Sequence, residues 1–180
     1  MAISFDTNHK PVIGEAEQLE DDLVVITADN ASPMTFTGTR TYILGTENLI
    51  VIDPGPDSEA HLSSIMKYIG KRKVTDILLT HSHIDHSPLS RQLKIETGAK
   101  IIGFGSADEA RTSFMKKLSS SLDLGGEEGI DKDLALDEKV YEKQMLKLNN
   151  YSIEVVHTPG HLSNHICFSL KERKILFSGD

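Results

Sequence analysis

The chain has 180 residues, with 27 acidic against 19 basic and 38% hydrophobic content, the balance of one globular unit able to bury a core. Its net charge of −8 is spread along the whole length, so no basic stripe attracts a polyanion and composition gives a nucleic-acid partner no support. A lone cysteine, Cys167, excludes an internal disulfide, no apolar run reaches membrane-spanning length, and the opening MAISFDTNHK lacks a signal-peptide layout, so a cytoplasmic protein with no membrane contact and a small-molecule substrate is expected.

Residues 1–20 read as an N-terminal extension. Residues 23–27, 41–44 and 49–52 are short apolar or β-branched runs separated by Gly, Asn and Pro signals, as in an antiparallel meander. Asp53-Pro54-Gly55-Pro56 stops that sheet. Leu62, Ile65, Met66 and Ile69 then recur at helical spacing behind Asp57 or Ser58 as cap. Residues 76–80 return to strand character, 89–97 form a second helix ended by Gly98, and 100–104 form another strand. Residues 116–138, rich in Ser, Gly, Asp and Glu, read as an irregular or short-helical surface excursion away from the histidine loops described below. Three β-rich runs follow, at 151–156, 165–170 and 174–178. This order predicts an α/β fold: a mixed sheet with helices on its outer face.

Residues 78–88 read LLTHSHIDHSP, an apolar strand running into a loop that carries His81, His83, Asp85 and His86. Alternation at a strand end sends His81 and His83 to one side, while a turn just beyond brings Asp85 and His86 round a second centre. Imidazole and carboxylate suit Zn2+ and other first-row divalent ions, as one or two ions, with Fe or Mn as alternatives. A surface cluster by accident is the competing reading, and three histidines at this spacing beside an aspartate argue against it. A second window, Val156-His157-Thr158-Pro159-Gly160-His161, ends a strand in a tight turn that presents His161 as the third nitrogen ligand. His157 and His165 are expected to be structural or to support the ligands, and His9 and His61 to be surface residues. Asp180 follows Phe177-Ser178-Gly179 at a strand end, where it is able to bridge two ions. Asp53 is either a turn former or a hydrogen-bond partner of a ligand histidine, and Cys167 is a buried, inert thiol.

Together, His81-x-His83-x-Asp85-His86, the Thr158-Pro159-Gly160-His161 turn and Phe177-Ser178-Gly179-Asp180 resemble the metallo-β-lactamase superfamily, and the match runs from about Thr39 to Asp180. It looks most like the glyoxalase II and lactamase-like hydrolase branch, given Gly38-Thr39-x-Thr41-Tyr42 and Asp53-x-Gly55. The resemblance implies the N-terminal part of an αβ/βα sandwich with metals at one edge of two facing sheets. It implies that His81, His83 and His161 bind one ion, that Asp85 and His86 bind the other, and that Asp180 bridges them. It departs from the family at Ser87-Pro88-Leu89-Ser90, where a Gly pair often stands. The family also continues past the Ser-Gly-Asp strand to one further histidine ligand. The expectation is therefore an incomplete domain over 1–180, inactive by itself, with an uncovered apolar face that favours self-association.

The expected chemistry is attack of a metal-activated water on a carbonyl, thioester or phosphoryl centre, with Asp85 as the catalytic group that receives or hands on a proton. Two other classes compete. One is oxidation of persulfides at a single iron held by two histidines and a carboxylate; the other is a non-catalytic metal-binding module.

Overall fold

The computed structural model describes residues 8–114, 116–117 and 129–180. Its strands form two sheets. In the first, β1 (Ala16–Glu20), β2 (Leu23–Thr27), β3 (Arg40–Leu44), β4 (Asn48–Ile52), β5 (Lys73–Leu78), β6 (Lys100–Gly103) and β7 (Glu138–Lys139) lie side by side in chain order. Pairing is antiparallel from β1 to β4 and parallel from β4 to β7. A parallel pair needs a crossover, and α1 (Glu59–Ile69) and α2 (Leu89–Thr97) supply the first two. The second sheet, ordered β11-β10-β9-β8, is antiparallel and contains β8 (Met145–Leu148), β9 (Tyr151–His157), β10 (Ile166–Leu170) and β11 (Ile175–Phe177).

The central strand β4 is apolar at four successive positions because both its faces are covered. Ile50 and Ile52 face the second sheet, in a core with Leu44, Leu78, Ile153, Val155 and Phe168. Leu49 and Val51 face the helices, with Leu62, Ile65, Ile69, Leu89 and Leu93. Ile65 is fully buried at the middle of the α1 stripe, so truncation to Ala there costs about 2–5 kcal/mol. Ser58 caps α1 by accepting from His61 N at 3.3 Å, and Gly98 ends α2 at φ 72°. No helix among the described residues is long and apolar enough to cross a membrane.

Three expectations need correction. Residues 16–20, placed in an N-terminal extension, form the edge strand β1; it is largely exposed and its sequence AEQLE carries no apolar period to betray it. The strand expected at 76–80 starts at Lys73 and stops at Leu78, leaving Thr80 to the loop. Of the expected excursion at 116–138, residues 118–128 lie outside the described residues, but residues 129–138 do not lie away from the histidine loop. Ile84 N donates to Gly129 O and Asp131 N to Ser82 O, each at 2.8 Å. The buried Asp131 carboxylate accepts from Ser87 Oγ at 2.9 Å and from Arg91 Nη1 at 2.7 and 2.8 Å. A segment packed on irregular backbone must bring hydrogen-bonding groups, so its polarity did not mean exposure.

Candidate metal centre

The site is assembled where β4 and β5 end together. Asp53, just past β4, donates its N–H to Leu78 O at 2.9 Å and takes φ 49°, a left-handed conformation that costs a non-glycine residue energy. Its carboxylate accepts from Thr80 N at 2.8 Å, Thr80 Oγ1 at 2.6 Å and His86 Nδ1 at 3.0 Å. After Thr80 the chain turns, with His86 N and Ser87 N both donating to His83 O at 3.0 Å. That turn carries Asp85 and His86 round beside His81 and His83. Gly55 N, from the Asp-Pro-Gly loop, donates to His86 O at 3.0 Å and clips the two loops together.

His161 comes from the β9–β10 connection, which closes with Thr158 N donating to His165 O at 3.0 Å. Asp180 follows Gly179, whose φ of 60° and tight surroundings leave no room for a side chain: a Cβ would lie 2.7 Å from His165 Nε2 and 2.8 Å from Thr80 Oγ1. His83 Nδ1 lies 3.1 Å from His81 Nε2 and 2.8 Å from His161 Nε2, and His161 Nε2 lies 3.4 Å from Asp180 Oδ2. Donor atoms of these four residues all fall within 4.8 Å of one another. Beside them, His86 Nε2 lies 3.4 Å from Asp85 Oδ2 and 3.2 Å from Asp180 Oδ1. Asp180 thus offers one oxygen to each group. Donors of a tetrahedral shell with metal–nitrogen bonds of about 2.0–2.1 Å stand about 3.3 Å apart, so this nitrogen and oxygen set has the spacing of a divalent-ion shell.

The hydrogen bonds outside each ring decide which nitrogen faces the centre. Thr80 Oγ1 donates to Asp53 and therefore accepts from His81 Nδ1 at 3.0 Å, leaving His81 Nε2 with a free lone pair. His86 Nδ1 donates to Asp53, leaving Nε2 inward. Burial, reinforced by the charges of neighbouring histidines, drives His81 well below the usual imidazole range and lowers His83 as well. Burial works against ionisation of Asp85, but hydrogen bonds from His86 and Thr39 Oγ1 (3.2 Å) hold its carboxylate below the ordinary range; a hydrogen bond to His86 does the same for Asp180. These are the forms in which imidazole and carboxylate ligate a cation. His86 is the exception. Burial opposes its charge, yet Asp180, Asp53 and Asp85 push its pKa up to about 12, so a bound cation would displace a proton from it.

His61, expected at the surface, is instead buried. It sits four residues before Ile65 on the core stripe of α1, with Nε2 2.8 Å from Thr41 Oγ1, and burial lowers its pKa to about 4. His9 is partly buried against Glu17, with Nε2 3.1 Å from the carboxylate. His157 stacks on Phe104, ring centroids 4.1 Å apart, and stands outside both donor groups. His165 is also outside them: Nδ1 lies 2.7 Å from Thr158 Oγ1, and its buried Nε2 has no partner among the described residues. Cys167 is a buried thiol. Sequence reasoning missed Thr80, Thr39 and Asp131, whose roles depend on partners far along the chain. A cavity of about 350 Å³ opens beside Asp85, His86 and Asp180, walled by Phe36, Arg40, Tyr42 and Phe177.

Residues 34–180 match the family model of the metallo-beta-lactamase superfamily. Hydroxyacylglutathione hydrolase GloC of Haemophilus influenzae is 31% identical over 134 residues, covering 74% of this chain and 61% of that protein. An atrochrysone carboxyl ACP thioesterase of a Cryptosporiopsis species is 28% identical over 176 residues, or 94% of this chain and 46% of the relative. The chain spans about half the length of the curated relatives it matches. Among solved structures, a metallo-beta-lactamase family protein from Thermus thermophilus superposes with a TM-score of 0.67 at 21% identity, over 89% of this chain and 60% of the other.

Proposed function

The chain belongs to the metallo-beta-lactamase superfamily, and from that premise we propose that it builds the metal centre of a hydrolase that cleaves an acyl group from a thiol carrier. His81, His83 and His161 would hold one divalent ion and Asp85 and His86 a second, with Asp180 in the donor group of each. The observation that carries this reading is the meeting of the two donor groups on the two oxygens of Asp180. Zinc is the ion proposed, because the donors are nitrogen and oxygen at tetrahedral spacing.

When bound, such ions supply a water ionised near pH 7 and polarise the acyl oxygen. The residues of the chain do the rest. Asp53 holds His81, through Thr80, and His86 in the orientations that aim their Nε2 atoms inward. Asp85, partly exposed to the cavity and accepting from Thr39, is placed to take a proton from the attacking water and pass it to the departing thiolate. Tyr42 and Phe177, edge to face with ring centroids 5.2 Å apart, form an aromatic part of the cavity wall. A thioester is favoured over a lactam or phosphodiester because one relative is named for hydroxyacylglutathione hydrolysis and another is an ACP thioesterase.

The test couples metal analysis with turnover of acyl-glutathione and acyl-N-acetylcysteamine thioesters, on the protein taken to the length of its relatives, since the 180-residue chain alone is expected to be inactive. Zinc in the protein, and loss of both metal and turnover in His81→Ala, is the expected result. Iron in its place with oxygen consumed on a persulfide, or thioester cleavage that survives chelation and His81→Ala, would overturn the reading.

A further inference from the structure

We propose that Arg40 is the anion-binding residue of the substrate cavity, and that the acyl group it selects has an apolar body ending in a carboxylate. The proposal rests on the thioester reading above and goes beyond it by naming the acyl class.

The placement follows from strand alternation. On β3, Thr41 bonds His61 and Ile43 packs in the helix-side core, so Arg40, Tyr42 and Leu44 face the second sheet. Leu44 is buried there and Tyr42 meets Phe177 edge to face, ring centroids 5.2 Å apart. Arg40, first in the strand, stands at the mouth of the sandwich, partly buried, in the wall of the cavity that also contains Asp85, His86 and Asp180. Among the described residues its guanidinium has no hydrogen bond and no ion pair. Asp53, Asp85 and Asp180 share that cavity but are engaged with Thr80, Thr39 and the histidines. A guanidinium does not shed its proton, and leaving it partly desolvated without a partner is unfavourable unless something else supplies an anion. Its planar fork matches a carboxylate, whose two oxygens accept in parallel.

Apolar side chains make up one part of the remaining wall, beside the hydroxyls of Thr35, Thr37 and Ser178. Met34, Phe36 and Leu176 are 85%, 63% and 56% exposed around the same cavity, and Phe36 holds a left-handed φ of 53°. Strained backbone that displays an aromatic ring beside a site is a feature of ligand clamps. An acyl group with its apolar body against these side chains would have its reacting carbonyl at the donor groups and its far end at Arg40. A phosphate on the thiol carrier has the same charge chemistry and is separated by the test.

The test compares glutaryl and valeryl thioesters of N-acetylcysteamine, equal in chain length and lacking phosphate, on the metal-loaded protein and on Arg40→Gln and Arg40→Lys. The wild type should prefer glutaryl, and Arg40→Gln should erase about tenfold of that preference through KM with kcat little changed, Arg40→Lys keeping part of it. Glutarate against valerate binding to the metal-free protein, by calorimetry, gives a readout independent of turnover. Arg40-dependent preference for glutarate with no thioester cleavage would sustain the subsite and defeat the thioester reading. An unchanged diacid-to-monoacid ratio in Arg40→Gln in both assays would overturn the proposal. So would an Arg40-dependent preference that follows a phosphopantetheine carrier instead of the acyl carboxylate.

Discussion

His86 Nδ1 donates to Asp53 Oδ2 at 3.0 Å, and the same oxygen accepts from Thr80 Oγ1 at 2.6 Å. One buried carboxylate thus orients a histidine in each donor group: His86 directly, and His81 through Thr80. Asn tolerates the left-handed backbone at this position but presents only one acceptor oxygen, so Asp53→Asn removes the charge and one accepting position while keeping the side chain's shape. Metal affinity should fall about 10–100-fold while the fold is retained. Competition against a chelator of known affinity, with circular dichroism as control, checks it.

The two donor groups differ in size, four residues against three, with Asp180 common to both. Titration with zinc should show one tight and one weaker equivalent. Asp85→Ala should remove the weaker one and leave the tight one nearly intact, whereas His83→Ala should do the reverse. An ion present at 100 times its dissociation constant adds about 2.7 kcal/mol of stability, so chelation should lower the melting temperature of the loaded protein by several degrees. Equal affinities, or no shift on chelation, would contradict a preassembled site.

His61 makes stability depend on mild acid. Its folded pKa of about 4 lies below the ordinary 6.5, so on acidification the unfolded chain binds the proton first. The contribution is complete above pH about 6.5 and is lost as pH falls toward 4, at up to about 1.4 kcal/mol per pH unit. His61→Leu should remove that slope, so the gap between wild type and variant should change across that window in urea denaturation of the metal-free protein. Parallel curves would show that His61 does not titrate as its burial requires.

Asp22 ties the two sheets together. It follows β1 and accepts from Tyr151 Oη on β9 at 2.6 Å and from Arg173 at 2.7 and 2.9 Å. Partial burial opposes its charge, but the hydrogen bonds from Arg173 and Tyr151 carry its pKa below the usual carboxylate value. The stabilisation is therefore present above pH about 4 and is lost as pH falls through the lowered folded value. Asp22→Asn should cost about 1–2 kcal/mol at neutral pH, with the gap to wild type closing in acid. Thermal melts at pH 7 and pH 3 test both halves.

The sequence by itself determined which short windows bring donors to the strand ends. LLTHSHIDHSP, TPGH and SGD each pair an apolar run with a turn, and both features are local, so the positions of His81, His83, Asp85, His86, His161 and Asp180 could be read without knowing what lies across the sheet. The helices at 59–69 and 89–97 were legible for the same reason, their apolar spacing being a property of a single segment. Tertiary structure alone decided how the remaining polar residues are used. Whether Asp53 merely forms a turn depends on Thr80 and His86, 27 and 33 residues away. Asp131 belongs with the histidine loop because of Ser87 and Arg91. His61 is core because Thr41 and the strand side of α1 enclose it. A hydrogen bond between distant residues leaves no period in the sequence, since a polar side chain satisfied by a far partner and one satisfied by water have the same letter; only closing the two sheets decides which of them is buried.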